Sequence, residues 1–362
     1  MKKISFLVYG TPRHPVGGTK VLFTYANLLM AAGNDVSILC YQKQSAYNSF
    51  SNNIRNLIKF LIKKSLRLEY PRWFALNESC CVKYVWGISD RFLKKFDACV
   101  ASSIETAYLL KKMKFDGKRF YLVQGFECWK PFTEQDVYES YKFPFTKIAI
   151  SDWLYDCIKK VDDKVVLIEN GFDFDYFKLT SDIGGRQRYT VCMLNHSDSR
   201  KRCADVFRAM SVLKEKYPLL KVLAFGVPPR PENLPDWYEY YQCPNMEMHN
   251  YVYNTSSIFV NASEQEGWGL TVGEAMICGC AVVCADNPGH RVMAHDNKTA
   301  LVFAPRDVDS MIGKISLLFE DDELRKKIAK NGNEYIQRYT WTNSYKKFSD
   351  LLLTTIGEGI ND

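Results

Sequence analysis

The sequence predicts an α/β fold with two doubly wound parallel sheets. The chain has 362 residues, a length that favours two domains. In both halves, short β-branched runs alternate with helix-like stretches, which is typical of βαβ units and parallel sheets. A stretch rich in turn formers, 171–186, separates the halves and is interpreted as a linker. We therefore expect a first domain over residues 1–170 and a second over 187–340.

The first half opens with a βαβ unit. Residues 4–9 are apolar and β-branched, a helical pattern covers 20–32, and 36–40 resume as a strand. The apolar run at the N-terminus is too short for a secretory signal and lacks a cleavage site, so we interpret it as a buried strand. Three further strands are expected, at 98–101, 120–124 and 148–150.

The second half repeats the alternation. Its expected strands are 189–194, 221–225, 257–261, 281–284 and 301–303. Its expected helices are 202–216, 271–278, 307–319 and 321–337. The regular order of strand and helix predicts a second parallel sheet.

Composition excludes several classes of protein. No window approaches the ~18 consecutive apolar residues of a spanning helix. The net charge of +7 is moderate and no helix-turn-helix or aromatic pattern accompanies it, so we expect no nucleic-acid partner. The twelve cysteines are dispersed, and none has metal-ligand spacing. These features favour a cytosolic protein with reduced thiols and no bound metal.

Residues 54–68 form an amphipathic pattern. Five apolar side chains share one helical face, and basic residues recur every four positions on the other side. Such a helix can lie on an anionic membrane surface. It can equally be a surface helix that packs its apolar face on its own sheet and leaves a solvated basic face. The pattern leaves both interpretations open.

The most informative motif follows the strand 257–261. A glycine-bearing loop containing Glu266 leads into a helix that begins near Thr271 and carries Glu274. A helix N-terminus offers backbone N–H groups and a positive dipole end to an anion. In a doubly wound sheet this turn lies at the carboxyl edge, where ligands bind. Glu274 lies deeper in the motif, where a carboxylate can accept hydrogen bonds from two vicinal hydroxyls.

This motif resembles that of the retaining GT-B glycosyltransferases of the family 4 type, also called glycosyl transferases group 1. The likeness covers nearly the whole chain, through these further segments: Gly17-Gly18, 150–154, 169–173, Arg200-Lys201 and 339–341. It implies two Rossmann-like domains that face a cleft, a first that binds the acceptor and a second that binds the nucleotide sugar. In that family the last helix, here 341–362, returns to the N-terminal domain.

The resemblance also implies roles for single residues. Glu266 would hold the donor sugar, Lys201 would neutralise the leaving diphosphate, and Glu274 would hold the ribose. Gly17 and Gly18 would bring backbone close to the donor diphosphate or the acceptor. The other donor-binding residues that it implies are Arg200, Gly267, Trp268, Gly269, Leu270 and Thr271.

Each of these roles has a plainer alternative. Glu274 can be a solvated or N-terminal helix carboxylate, and Glu266 a loop charge beside Glu264. The two glycines can form an ordinary turn, and Lys201 can belong to a solvated basic run. The five histidines are scattered, and each is interpreted as structural.

Two positions depart from the family pattern. Asn195 stands where many members carry an arginine, so the diphosphate would depend on Lys201, Arg200 or Arg202. Gln124 stands near the acceptor where many members carry a histidine. Gln124 can hydrogen-bond a sugar but cannot act as a base at neutral pH, whereas Glu127 can if it faces the acceptor.

The implied function is retaining, metal-independent transfer of a hexose or deoxyhexose from a nucleotide diphosphate sugar, without a cofactor. The acceptor is expected to be a saccharide or a lipid-linked intermediate of surface polysaccharide or glycolipid. The expected location is the cytoplasm, with peripheral contact at the inner membrane face through 54–68. A non-catalytic GT-B subunit is the alternative. A Rossmann oxidoreductase is disfavoured because neither half has G-x-G-x-x-G after its first strand.

Overall fold

The computed structural model describes residues 1–10, 14–42, 50–66 and 71–357, with the backbone alone for 50–53. The chain divides into two compact units. Unit 1 comprises Met1–Asn170 and Thr342–Asp362, and unit 2 comprises Gly171–Trp341.

Unit 1 contains a seven-stranded sheet in the order β3-β2-β1-β4-β5-β6-β7, and every neighbouring pair is parallel. Its strands are β1 Lys3–Tyr9, β2 Asp35–Tyr41, β3 Cys81–Val85, β4 Ala98–Ala101, β5 Lys118–Val123, β6 Thr146–Ala149 and β7 Val166–Leu167. The central strands are mostly buried, as expected when helices cover both faces of a parallel sheet.

In the described part of unit 1, six helices lie between the strands. They are α1 Gly17–Ala31, α2 Phe50–Ser65, α3 Asp90–Leu93, α4 Ile104–Lys112, α5 Glu134–Tyr141 and α6 Asp152–Lys159. Two of them begin with capping boxes, Ser103 with Thr106 at α4 and Thr133 with Asp136 at α5. Each box satisfies backbone N–H groups that a helix start leaves without an intrahelical acceptor.

Unit 2 contains a six-stranded parallel sheet in the order β10-β9-β8-β11-β12-β13. Its strands are β8 Thr190–Asn195, β9 Lys221–Gly226, β10 Tyr238–Gln242, β11 Ile258–Asn261, β12 Ala281–Ala285 and β13 Leu301–Phe303. Its helices are α7 Cys203–Lys216, α8 Met246–Thr255, α9 Leu270–Ile277, α10 Val308–Glu320 and α11 Asp322–Ile336. This strand order is that of a Rossmann-type sheet.

The last helix, α12 (Trp341–Gly357), contributes to unit 1 from Thr342 onwards. Its Phe348 is buried, and its ring lies 4.2 Å from that of Tyr25 and 6.4 Å from that of Phe6. The Ser344 hydroxyl donates a 2.6 Å hydrogen bond to the carbonyl of Glu169. The C-terminal segment therefore completes the core of the N-terminal unit, as the sequence predicts.

The predicted strands are present, with small shifts at their ends. Strands β3, β7 and β10 were not predicted from the sequence. All three are edge strands of their sheets, and their side chains are only partly buried, so they lack the continuous apolar pattern of a central strand. The segment 171–186 differs from the predicted linker. It belongs to unit 2, because Phe172 and Phe177 are buried and Arg186 donates hydrogen bonds to the carbonyls of α8 and the turn after it.

Within the described ranges, no helix combines the length and the apolar character that are needed to cross a bilayer. All twelve cysteines lie in those ranges and are free thiols.

Leu352 and Leu353 provide a test of how α12 is anchored. Leu352 is fully buried, whereas Leu353 is 38% exposed. We expect Leu352→Ala to lower the free energy of unfolding by about 2–5 kcal/mol, because it leaves a cavity. Leu353→Ala is the matched control and is expected to cost less than about 1 kcal/mol. Urea unfolding followed by circular dichroism measures both, and equal losses would contradict this packing of α12.

Candidate functional site

The polar residues of unit 2 converge where its strand order reverses. Strands β8 and β11 are adjacent, so the loops that follow them begin side by side at the carboxyl edge of the sheet. From there the chain continues to β9 on one side and to β12 on the other. Lys201 follows β8 in a short turn, and Glu266 follows β11. Crevices at such switch points are the usual ligand sites of open α/β sheets.

Lys201 and Glu266 form an ion pair at this point. The Lys201 Nζ lies 2.6 Å from Glu266 Oε1, and both side chains are largely but not fully buried. A second contact joins the two loops, because the Glu264 N–H donates to the Arg200 carbonyl at 2.9 Å. Burial alone would raise the pKa of Glu266, but the neighbouring Lys201 and His290 lower it below its usual range. The carboxyl is therefore ionised at neutral pH.

The two arginines beside Lys201 are held by other acids. The Arg200 guanidinium contacts Asp198 through Nε and Nη2, the shortest distance being 2.6 Å. This hydrogen bonding lowers the pKa of Asp198 to about 2. Arg202 pairs with Asp205 at 2.7 Å. Of this basic run, Lys201 is the residue whose cation is paired with Glu266.

Asn195, at the end of β8, donates a 3.0 Å hydrogen bond from Nδ2 to the Tyr240 hydroxyl. That hydroxyl in turn donates to the Pro228 carbonyl at 2.6 Å. The amide that replaces the expected arginine therefore reaches across β9 to a side chain of β10.

The loop after β11 has a fixed path into α9. Asn261 Oδ1 accepts the N–H of Ser263 at 2.9 Å, and Asn261 Nδ2 donates to the Thr271 hydroxyl at 3.1 Å. Gly269 is the N-cap residue of α9 and has φ +94°, a left-handed conformation. A glycine has no side chain to occupy the first-turn N–H groups of Leu270 and Thr271, so this helix end can accept an anion.

Glu274 lies in the second turn of α9 and is 5% exposed. The Tyr253 hydroxyl is 3.5 Å from its Oε2. The alternative of a solvated helix carboxylate is therefore wrong. Its position behind the first turn is compatible with a hydrogen-bond acceptor for a ligand bound at the helix N-terminus.

The side chain of Trp268 lies away from the loop, in a buried aromatic cluster. Its ring is 6.3 Å from Phe172 and 5.2 Å from Tyr339. The Trp268 side chain therefore anchors the loop to the core of unit 2. The backbone of Gly267 and Trp268 connects Glu266 to Gly269.

In unit 1, Gly17 and Gly18 are the first residues of α1. A Cβ on Gly18 would lie 3.2 Å from Gln124 Nε2, so the glycine permits close approach of these two elements. Gln124 donates a long hydrogen bond to the Ser102 carbonyl at 3.5 Å, and its Oε1 is buried with no hydrogen-bond partner among the described residues. That oxygen is suited to accept a hydroxyl of a ligand.

Glu127 is also buried in unit 1. Its Oε2 accepts the backbone N–H of Ile104, at the start of α4, and the Tyr121 hydroxyl at 3.4 Å. Burial, with a smaller contribution from Glu105, raises the pKa of Glu127 to about 8. At neutral pH this carboxyl is mostly protonated. Among the described residues, no three His, Cys, Asp or Glu side chains are grouped as metal ligands.

Comparison with known proteins characterises the region that contains the Lys201–Glu266 pair. Residues 184–335 match the family model of glycosyl transferases group 1. The matched segment contains Lys201, Glu266 and the whole of α9.

Curated relatives align with about a quarter of the chain. The sulfoquinovosyl transferase SQD2 of Arabidopsis thaliana is 37% identical over 92 residues, 25% of this chain and 18% of that protein. The O-antigen chain mannosyltransferase B of Escherichia coli is 33% identical over 93 residues, 26% of this chain and 24% of that protein. The aligned stretch thus spans about a quarter or less of the length of these relatives.

Solved structures align with nearly the whole chain. HepE of Anabaena, in complex with UDP and glucose, has a TM-score of 0.73 at 14% identity and covers 98% of this chain and 100% of its own. The sucrose-phosphate synthase of Thermosynechococcus elongatus has a TM-score of 0.73 at 15% identity, with 99% and 100% coverage. The predicted GT-B fold, with two Rossmann-like domains, is confirmed.

His290, which the sequence analysis did not place in the site, lies beside the glycine loop. His290 was interpreted as structural, yet its ring lies against the glycine loop, where a Cβ on Gly269 would lie 2.9 Å from His290 Cδ2. Its Nδ1 is 2.9 Å from the Ala285 carbonyl, and its buried Nε2 has no hydrogen-bond partner within the described part of the chain. Burial lowers the pKa of His290, although Glu266 opposes the shift. The available signal was the turn Asn287-Pro288-Gly289-His290 directly after a buried strand.

Gly269 tests the geometry of the loop. We expect Gly269→Ala to destabilise unit 2 by about 1–3 kcal/mol, because alanine is strained at positive φ and its Cβ would collide with His290. Gly313→Ala is the control, since a Cβ there meets nothing within 4 Å. It is expected to stabilise α10 by roughly 0.5–1 kcal/mol. Denaturant unfolding compares them, and an unchanged Gly269→Ala variant would refute the loop conformation.

Glu127 predicts a pH dependence of stability. Because its pKa rises from 4.5 to about 8 on folding, the folded protein retains a proton that the unfolded chain releases between these values. The contribution of Glu127 to the free energy of unfolding is therefore largest below pH ~4.5, and it is lost as the pH rises through 8. Glu127→Gln keeps a neutral side chain of the same shape, so we expect it to flatten this decline and to melt above the wild type at pH 9.

Thermal unfolding from pH 5 to 9 measures this effect. The control is Glu139→Gln, whose carboxylate is exposed and pairs with Lys142. Parallel profiles for the wild type and Glu127→Gln would show that Glu127 is ionised in the folded protein.

Proposed function

We propose that the protein is a retaining glycosyltransferase of the family 4 type. It transfers a hexose or deoxyhexose from a nucleotide diphosphate sugar to an acceptor hydroxyl, without a metal ion or a cofactor. The observation that carries the proposal is the Lys201–Glu266 pair beside the N-terminus of α9, inside a glycosyl transferases group 1 domain. The pair combines a cation for a phosphate with a carboxylate for sugar hydroxyls.

The donor is expected to bind along the carboxyl edge of unit 2. The diphosphate would take N–H groups from Leu270 and Thr271 and the charge of Lys201. The ribose hydroxyls would donate to Glu274. The sugar would lie at Glu266, whose carboxylate accepts hydroxyl hydrogen bonds, while the neutral His290 offers Nε2 beside the same loop. Arg200 is expected to act through the position of this loop, because its guanidinium is bound to Asp198.

The chemical step exchanges one bond at the anomeric carbon. The bond to the diphosphate oxygen breaks, and the nucleoside diphosphate leaves with the bonding electron pair. The acceptor oxygen attacks from the same face, and its proton passes to the leaving phosphate oxygen. Lys201 stabilises the charge that develops on the phosphate. Glu266 positions the sugar and forms no covalent bond to it.

The acceptor is proposed to bind at unit 1. Gln124 Oε1 is a buried acceptor that a sugar hydroxyl can satisfy, and Gly18 at the start of α1 packs against this side chain. Glu127 has its Oε2 committed to α4 and a raised pKa, so we assign it to the shape of this site and not to proton transfer.

Curated relatives include the O-antigen chain mannosyltransferase B and a phosphatidyl-myo-inositol mannosyltransferase of Mycolicibacterium smegmatis. Their names support a place in surface polysaccharide or glycolipid assembly. We propose a cytoplasmic location at the inner face of the membrane.

The decisive experiment replaces Glu266. We expect Glu266→Gln to lower turnover by ~10²–10³-fold, because it removes the charged acceptor for the donor sugar. The same variant should bind a nucleoside diphosphate at least as tightly as the wild type, since Lys201 is released from its carboxylate partner. The control is Glu247→Gln, an exposed glutamate in unit 2. Normal turnover by Glu266→Gln would contradict the assignment.

A thermal-shift screen with UDP-, GDP- and ADP-sugars and NAD(P) identifies the donor class. Turnover with the selected donor, in the presence of EDTA, then tests metal independence, and NMR of the product tests retention. If the protein binds the donor but neither transfers its sugar nor hydrolyses it, the non-catalytic GT-B subunit is favoured. The observation that supports this alternative is the hydrogen bond of Asn195 to Tyr240.

A further inference from the structure

Helix α2 presents its apolar side to solvent. The side chains of Asn56, Phe60 and Lys63 are the less exposed ones, and Phe60 is buried. Its ring lies 4.9 Å from Tyr84 and 5.8 Å from Trp86. The large apolar side chains of the helix are instead 40–55% exposed: Ile54, Leu57, Ile58, Leu61 and Ile62. Leu66, directly after the helix, is 60% exposed.

This orientation is the reverse of that in an ordinary surface helix. At 3.6 residues per turn, Ile54, Ile58 and Leu61 lie opposite the packed side. The interpretation that 54–68 packs its apolar face on its own sheet is therefore wrong for the described residues. Arg67 and Leu68 of that range lie outside them. A continuous apolar stripe of this kind marks an interaction surface.

The charges beside the stripe indicate what it contacts. Arg55 and Lys59 flank it on one side, Lys64 flanks it on the other, and all three are exposed. The Lys64 Nζ is 5.5 Å from the centre of the Phe60 ring. The helix sequence 50–65 contains no aspartate or glutamate. Apolar side chains between two basic margins complement the acyl chains and the anionic headgroups of a lipid surface.

The helix also lies at the ligand-binding edge of unit 1. Phe60 packs on Tyr84 and Trp86, at the carboxyl end of β3. The Tyr84 hydroxyl donates at 2.7 Å to Gln42, which follows the carboxyl end of β2. Gln124 follows β5 at this same edge, four strands from β3. A strand spacing of ~4.8 Å places the two ends roughly 20 Å apart.

We propose that α2 lies in the interface of an anionic bilayer with Ile54, Ile58 and Leu61 inserted, so that the acceptor edge of unit 1 receives a lipid-linked acceptor. The proposal that the protein binds a bilayer is argued only from the exposed side chains of α2. The lipid-linked acceptor rests on the proposed glycosyl transfer.

Vesicle flotation tests the surface. The full chain is mixed with vesicles of phosphatidylcholine and phosphatidylglycerol in equal parts, or of phosphatidylcholine alone. We expect binding to the anionic vesicles, at least 10-fold weaker binding to the neutral ones, and partial release at 0.5 M NaCl. Ile58→Asp/Leu61→Asp should lower the affinity for anionic vesicles at least 10-fold, and Arg55→Gln/Lys59→Gln/Lys64→Gln should remove the preference for anionic lipid.

The matched control is Leu219→Asp/Met246→Asp, which adds the same charge at side chains that are 77% and 55% exposed. This control should bind anionic vesicles as the wild type does. All variants should have the circular dichroism spectrum of the wild type. Absence of binding to anionic vesicles, or equal binding by Ile58→Asp/Leu61→Asp and the control, would overturn the proposal. So would a dimer in light scattering that Ile58→Asp/Leu61→Asp converts to a monomer, because a second copy would then cover α2.

Donor hydrolysis separates this proposal from the proposed function. Without vesicles, Ile58→Asp/Leu61→Asp should hydrolyse the donor as fast as the wild type. Flotation without any hydrolysis or transfer would leave the membrane surface valid and refute the glycosyltransferase assignment. Donor hydrolysis without flotation would refute the membrane surface and leave the glycosyltransferase assignment valid.

Discussion

Both sheets consist entirely of parallel strands, and this constraint brings every strand-to-helix turn to one edge of each sheet. The helices that connect the strands cover both faces, so polar groups are tolerated mainly at the edges. Where the strand order reverses, beside β1 in unit 1 and beside β8 in unit 2, adjacent loops turn in opposite directions. Lys201 and Glu266 meet at one reversal, and the residues around Gly18 lie at the other.

The basic run at the first turn of unit 2 shows how similar charges acquire different roles. Arg200 and Arg202 can make forked contacts with carboxylates, and each is paired with its own local aspartate. The Lys201 ammonium is a compact charge, and its partner is Glu266, 65 residues away in the sequence. An exposed pair such as Arg200–Asp198 contributes little to stability. Its effect is to keep the turn that carries Lys201 in place.

Helices α2 and α12 belong to the same unit and are both amphipathic, yet they are oriented in opposite ways. In α12 the apolar side faces inward, with Phe348 and Leu352 fully buried. In α2 the corresponding stripe faces outward, and one aromatic side chain, Phe60, attaches the helix to β3. An exposed apolar stripe has an unfavourable hydration free energy in water, which a lipid surface removes.

The sequence by itself determined the class of fold, the central strands, the loop with Glu266 and the helix with Glu274, because buried parallel strands and glycine turns leave local patterns. The edge strands β3, β7 and β10 left no such pattern, since partial burial permits mixed side chains. Only the tertiary structure decided which cation pairs with Glu266, that His290 lies against Gly269, and that 171–186 is packed into unit 2. It also decided which side of α2 is exposed. These are long-range contacts, and the residues that make them are distant in sequence and chemically unexceptional until the chain folds.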